Sequence, residues 1–75
     1  MRLNDLQPGE AGVVKKVLAN GPLGQRLIDL GFFPGVSLKV IRSAPLLDPI
    51  DVALDGCHIS IRHAEAVFLE VTPHE

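Results

Sequence analysis

The chain has 75 residues, 47% apolar and 21% charged, the balance of one globular domain rather than of a disordered segment. Its formal net charge is −2, with seven cations scattered among nine acids, so it lacks the basic face by which proteins grip nucleic acid. No apolar run approaches the roughly 18 residues of a membrane span, and the single cysteine rules out an intrachain disulfide and suits a reducing cytoplasm.

Met1 to Asp5 lacks the apolar stretch of a secretory signal. A folded chain of this mass exposes roughly 4,500 Å². One ordinary protein contact covers about 800 Å² per partner, nearly a fifth of that surface. A closed catalytic cavity would compete with the core for volume. Size therefore favours a single binding domain over residues 1–75, and not an enzyme.

In chain order, Leu3 to Leu6 is a short lead-in, and Pro8-Gly9 marks a turn. Ala11 to Leu18 is a first strand, bulged because Lys15-Lys16 breaks the alternation. Pro22 suits the first turn of a helix. Leu23, Leu27 and Leu30 then form one apolar stripe, widened by Ile28, which predicts a helix over about residues 22–30. Gly31 is placed to end that helix with a left-handed residue, and Pro34-Gly35 predicts a type II turn. Val36, Leu38 and Val40 alternate as a half-buried strand, Ala44 to Pro49 reads as a loop, and Ile50, Val52 and Leu54 alternate again. Asp55-Gly56 is a hairpin signal. Beyond it Cys57, Ile59 and Ile61 share the inward parity, making Cys57 a small core residue. A turn over His63 to Ala66 leads to a last strand, Val67 to Val71, and the tail from Thr72 to Glu75 should fray. The sum is a mainly β fold, a small five-stranded SH3-like barrel with one short helix plugging an open end, its edges removed by closure.

The run Arg26-Leu27-Ile28-Asp29-Leu30-Gly31-Phe32-Phe33-Pro34-Gly35 resembles the RLxxLGxxPG signature of the FeoA family. Pro8-Gly9-Glu10 resembles its entry turn, Ala44 to Pro49 its APLGDP loop, and Ile61-Arg62 with Glu65-Ala66, Leu69 and Val71 its closing segment. The resemblance implies a small cytoplasmic accessory protein of ferrous iron uptake. It would act by contact with the membrane transporter FeoB, which carries a cytosolic GTPase domain. It also implies kinship with the SH3-like domain of iron-dependent repressors, so a metal- or effector-sensing regulatory domain is the alternative. One departure is Leu47, where the family usually has a glycine of positive φ; a leucine there is strained unless the turn differs.

Phe32 and Phe33 are adjacent, so one should plug the barrel and the other lie outside; Phe32 fits the buried place and Phe33 a partner contact. Leu46 and Leu47 tip a loop, and if they neighbour Phe33 the three make one apolar patch. Arg26 is expected at its edge. As a bland alternative it is a solvated helix charge paired with Asp29 or Asp5. As sharper ones it is a carboxylate-binding fork or a finger toward a nucleotide on a GTPase partner. His58, His63 and Glu65 are weak metal candidates without chelating spacing, suited to adventitious divalent ions rather than to a resident cofactor. No nucleophile stands beside a base, no glycine loop matches a phosphate motif, and no Trp or Tyr offers the aromatic groove of a polyproline reader.

Overall fold

The computed structural model describes residues 1–74. Its five strands are β1 (Ala11–Val17), β2 (Ser37–Ala44), β3 (Leu47–Leu54), β4 (Cys57–Ile61) and β5 (Leu69–Pro73). They form one antiparallel sheet in the order β4-β3-β2-β1-β5. Helix α1 (Gly21–Asp29) links β1 to β2, the single turn α2 (His63–Ala66) links β4 to β5, and a 3-10 turn over Leu3–Asp5 precedes β1. The expected five strands and helix are present. The register shifts between Val14 and Lys16 in β1, and twice along β2 between Val40 and Ala44. Each irregularity bends its strand, which lets one short sheet wrap around a single core.

That core is apolar throughout the described residues, with no buried polar or charged residue. Val14, Leu38, Val40, Ile50, Val52 and Val71 line it from the sheet, Leu27 and Phe32 fill it from α1 and its cap, and Leu3 and Leu6 close it from the N-terminus. The exposed area, 4596 Å², matches the value expected from mass.

Helix α1 ends as its sequence dictates. Gly31 has φ +112°, its N–H donates to Ile28 O at 3.0 Å, and the Phe32 N–H donates to Leu27 O at 3.0 Å. This paired closure is a Schellman cap, which brings the residue after the glycine against the helix three positions before its end. Phe32 and Leu27 are accordingly both fully buried in one cluster. The stripe is narrower than its spacing suggests: Leu23 and Leu30 are partly buried, and Ile28 is exposed. Gly24 supplies what the leucines do not. A Cβ there would lie 2.4 Å from Ala19 O, so the helix reaches the chain end of β1 only because this residue is glycine.

Several expectations need correction. Ala44 to Pro49 is no loop: β2 and β3 run on until Ala44 pairs with Leu47, and only Pro45 and Leu46 turn the chain. The left-handed residue is Leu46, φ +63°, not position 47. Cys57 keeps the inward parity but is exposed, because the core tapers toward the β3–β4 hairpin: Ile61 is buried, Ile59 partly, Cys57 not. The last strand is Leu69–Pro73, not Val67 to Val71, and Val67 belongs to the end of α2. The tail does not fray through His74, since Thr72 and Pro73 pair with β1 and the His74 N–H donates to Ala11 O; Glu75 lies outside the described residues. Closure does not remove both edges. β5 is covered by the N-terminus, but β4 is paired by β3 alone.

Two outcomes follow. Alanine normally stabilises a helix relative to glycine by about 1 kcal/mol; here Gly24→Ala should destabilise by about 1–3 kcal/mol, because backbone must move, and denaturant unfolding reads the sign. Phe32→Ala should cost about 3–5 kcal/mol, while Phe33→Ala should change the melting midpoint little.

Candidate functional site

One concavity is an open groove of about 640 Å³, lined among others by Phe33, Val36, Lys39, Ala53, Leu54 and His74. Its floor follows from register. Ala11 pairs with Lys39, Lys39 with Ala53, and Ala53 with His58, so these four side chains stand in one row on the outer face. The two alanines are short enough to leave a trough on either side of the lysine.

Phe33 forms one wall because two turns fix it there. The Schellman cap places Phe32 inward, and the following turn is closed by the Val36 N–H donating to Phe33 O at 3.1 Å. Gly35 takes φ +96° in it, as a type II turn requires. The turn is pinned to β1 by Gly35 N–H to Val14 O at 2.8 Å and Val14 N–H to Val36 O at 2.9 Å. Phe33 is 49% exposed on this anchored backbone.

Leu46 and Leu47, 98% and 65% exposed, are not beside Phe33. Phe33 borders the groove near Leu54, at the end of β3, whereas Leu47 begins β3, seven residue steps or roughly 23 Å away along the strand. The three leave a line rather than one patch. Ile41, 45% exposed, stands between them on the outer side of β2, two residues beyond Lys39. Spacing on a strand could have found it, but the bulge between Val40 and Arg42 obscures its parity.

The hairpin tip is held from behind. His63 Nε2 lies 3.0 Å from both Ala44 O and Leu47 O; facing two acceptors, this nitrogen is the protonated one. The His63 N–H donates to Asp48 Oδ1 at 2.8 Å, giving α2 a carboxylate at its first turn. Neither role is legible in the local sequence, since the partners lie 15 to 19 positions away. Arg26 pairs with Glu65 on α2, not with Asp29 or Asp5. Asp29 accepts from Gln25 at 2.8 Å, and Asp5 from the Arg2 N–H at 2.9 Å. The Arg26 side chain is 60% exposed and that of Glu65 12%, so this pair ties α1 to α2 at the surface. Behind the hairpin a smaller hollow of about 190 Å³ is lined by Asn4, Ser43, Pro45 and His63.

Of the metal candidates, His63 and Glu65 are engaged as described, and His58 stands on the outer face of β4. Among the described residues no three His, Cys, Asp or Glu side chains gather around one point. Among the described residues no helix is long and apolar enough to cross a membrane.

The chain matches the FeoA domain family over residues 1–73. It is 34% identical over 71 residues to a putative Fe(2+) transport protein A of Campylobacter jejuni, covering 95% of this chain and 96% of that protein. It is 32% identical over 71 residues to a fusion of Fe(2+) transport protein A with the Fe(2+) transporter FeoB from Porphyromonas gingivalis, covering 95% of this chain but 8% of that far longer protein. Its fold superposes with a TM-score of 0.84 on a FeoA from Stenotrophomonas maltophilia, complexed with zinc and described as an SH3 domain protein, at 28% identity over 96% of this chain and 89% of that one. A manganese-dependent transcriptional repressor shares the fold alone, with a TM-score of 0.88 at 19% identity over 99% of this chain and 41% of that one. The family match and the Campylobacter relative, each spanning almost the whole chain, agree with the motif from Arg26 to Gly35: the protein belongs to the FeoA family, a family of ferrous iron transport.

Proposed function

We propose that this protein is a cytoplasmic accessory factor that docks on a FeoB-type iron transporter, and that the docking surface runs along the outer side of β2 and β3 from Phe33 to the Pro45–Leu47 tip. The observation that carries the partner is the Porphyromonas protein, in which a FeoA-like stretch is fused to a FeoB transporter. A fusion supplies a high effective concentration through the linker. A separate chain must supply the encounter through affinity alone, and so needs a surface that prefers to be covered.

The line of Phe33, Ile41, Leu46 and Leu47 supports that reading. Strand β2 has eight residues, about 25 Å of chain, and a contact of about 800 Å² is roughly 30 Å across. One partner surface therefore spans the line. Phe33 sits on doubly anchored backbone, so binding it costs little ordering entropy. Leu46 stands almost fully exposed in a left-handed conformation that a leucine rarely adopts, a combination that packing does not require and partner contact explains. Arg26 is engaged by Glu65.

Calorimetric titration of the chain against the cytosolic domain of FeoB from the same genome tests this. Phe33→Ala should weaken binding by about 1–3 kcal/mol with an unchanged melting midpoint. Ile41→Ser and Leu46→Ser should weaken it in the same direction. Undiminished binding by all three variants overturns the surface, and no binding by the wild-type chain overturns the partner.

A further inference from the structure

The two ends of the sheet are treated differently. Along β5 the outer edge is occupied: the Val71 N–H donates to Met1 O at 2.8 Å, the Met1 amino group lies 3.4 Å from Val71 O, and Arg2 bridges to Glu70. Along β4 nothing equivalent occurs. Among the described residues no backbone hydrogen bond outside the sheet involves residues 57 to 61. Natural edges are commonly guarded by Lys, Pro, bulges or inward charges. The strand Cys57-His58-Ile59-Ser60-Ile61 has none of these, and its register with β3 is unbroken.

Its open groups can be identified. The β3–β4 hairpin turns on Asp55 and Gly56 and closes on the Leu54–Cys57 pair, which exchanges hydrogen bonds across the turn. Antiparallel pairs alternate between bonded and non-bonded, so Cys57, Ile59 and Ile61 direct their N–H and C=O groups at β3. His58 and Ser60 direct theirs outward. Two copies related by a two-fold axis through Ile59 place His58 of one against Ser60 of the other, twice. All four outward N–H and C=O pairs are then satisfied in one step, and Ile59 meets its own symmetry mate in a non-bonded pair, the closer side-chain approach.

The flanks fit the same operator. In this register Arg62 stands opposite Gly56 of the second copy, whose sequence neighbour Asp55 lies in the exposed hairpin turn, near enough for a long side chain to approach. Neither the Arg62 guanidinium nor the Asp55 carboxylate has an ion-pair partner among the described residues. Two copies would therefore form two Arg62–Asp55 pairs, one at each end of the seam.

We propose that β4 is a self-pairing edge, and that two copies of this chain join by antiparallel β4–β4 addition centred on Ile59. The symmetry closes at two, as an isologous contact does. The strand is short and covers less than the about 800 Å² per partner of a standard interface, so the dimer is weak and is sought up to about 1 mM. The seam lies on β4, apart from the Phe33-to-Leu46 line on β2 and β3, and does not depend on the partner assigned to that line.

Sedimentation equilibrium of the full chain, from about 10 μM to about 1 mM, tests the proposal. The wild-type chain should show a monomer–dimer equilibrium with no larger species. Ser60→Pro removes an N–H that faces away from β3, so it spares the hairpin ladder while blocking the seam, and should be monomeric throughout. Ser60→Ala loses the same hydroxyl, which donates to Asp51 Oδ1 at 2.8 Å, but keeps the N–H and should dimerise like wild type. Should Ser60→Pro fail to fold, Arg62→Asp reads the flanks: it should weaken dimerisation about tenfold, and Asp55→Arg combined with it should restore it. A wild-type chain that stays monomeric at 1 mM overturns the proposal. So does a dimer indifferent to Ser60→Pro and to Arg62→Asp, or an open series of oligomers.

Discussion

Gly31 adopts φ +112°, a conformation that costs an L-residue roughly 1–2 kcal/mol in the left-handed region, and the placement of both phenylalanines depends on it. The left-handed cap reverses the chain so that Phe32 drops onto Leu27 inside the barrel. Phe33 is then forced to the opposite side, where the Pro34-Gly35 turn and two hydrogen bonds to Val14 fix it. One glycine therefore closes the helix, completes the core and raises the groove wall. A Cβ on Gly31 would also press on Leu54 Cδ1 at 3.0 Å, another residue of that groove.

The far end of the same face has a different support. The β2–β3 hairpin is latched by His63 through two carbonyls and by Asp48 through the α2 backbone, and α2 is tied in turn to α1 by Glu65 and Arg26. The polar groups of the closing segment thus act as joinery. His63, Glu65 and Arg26, candidates for metal or nucleotide chemistry in a linear reading, are joined here by hydrogen bonds and an ion pair. Such an arrangement is suited to presenting a surface to a larger protein.

Features set by local chemistry were legible in the sequence: the helix from its leucine stripe, its end at Gly31, the Pro34-Gly35 turn, the Asp55-Gly56 hairpin and the buried Phe32. Each needs only a few neighbouring residues. Long-range features were not. The partner of Arg26 lies thirty-nine positions away at Glu65, and the buried contact of Gly24 with Ala19 depends on how α1 leaves β1. Cys57 has the parity of a core residue but stands beyond the end of the core, and period-2 spacing carries no information on where a core stops. Pro45 and Pro49 read as loop markers, yet a proline is tolerated in a strand where its missing N–H is not needed, and Pro49 lies within β3. The supposed single patch became a line for the same reason: both strands run longer than their turn signals suggest.

Amide chemical-shift mapping of the labelled chain, on addition of the FeoB cytosolic domain, tests most directly whether the outer side of β2 and β3 is the working surface. The account predicts that the largest shifts fall on residues 33 to 41, on Leu46 and Leu47, and on residues 53 to 55, with the exposed side of α1 and strand β5 left nearly unchanged. Shifts concentrated on α1 or β5, with Phe33, Ile41 and Leu46 unmoved, would contradict it.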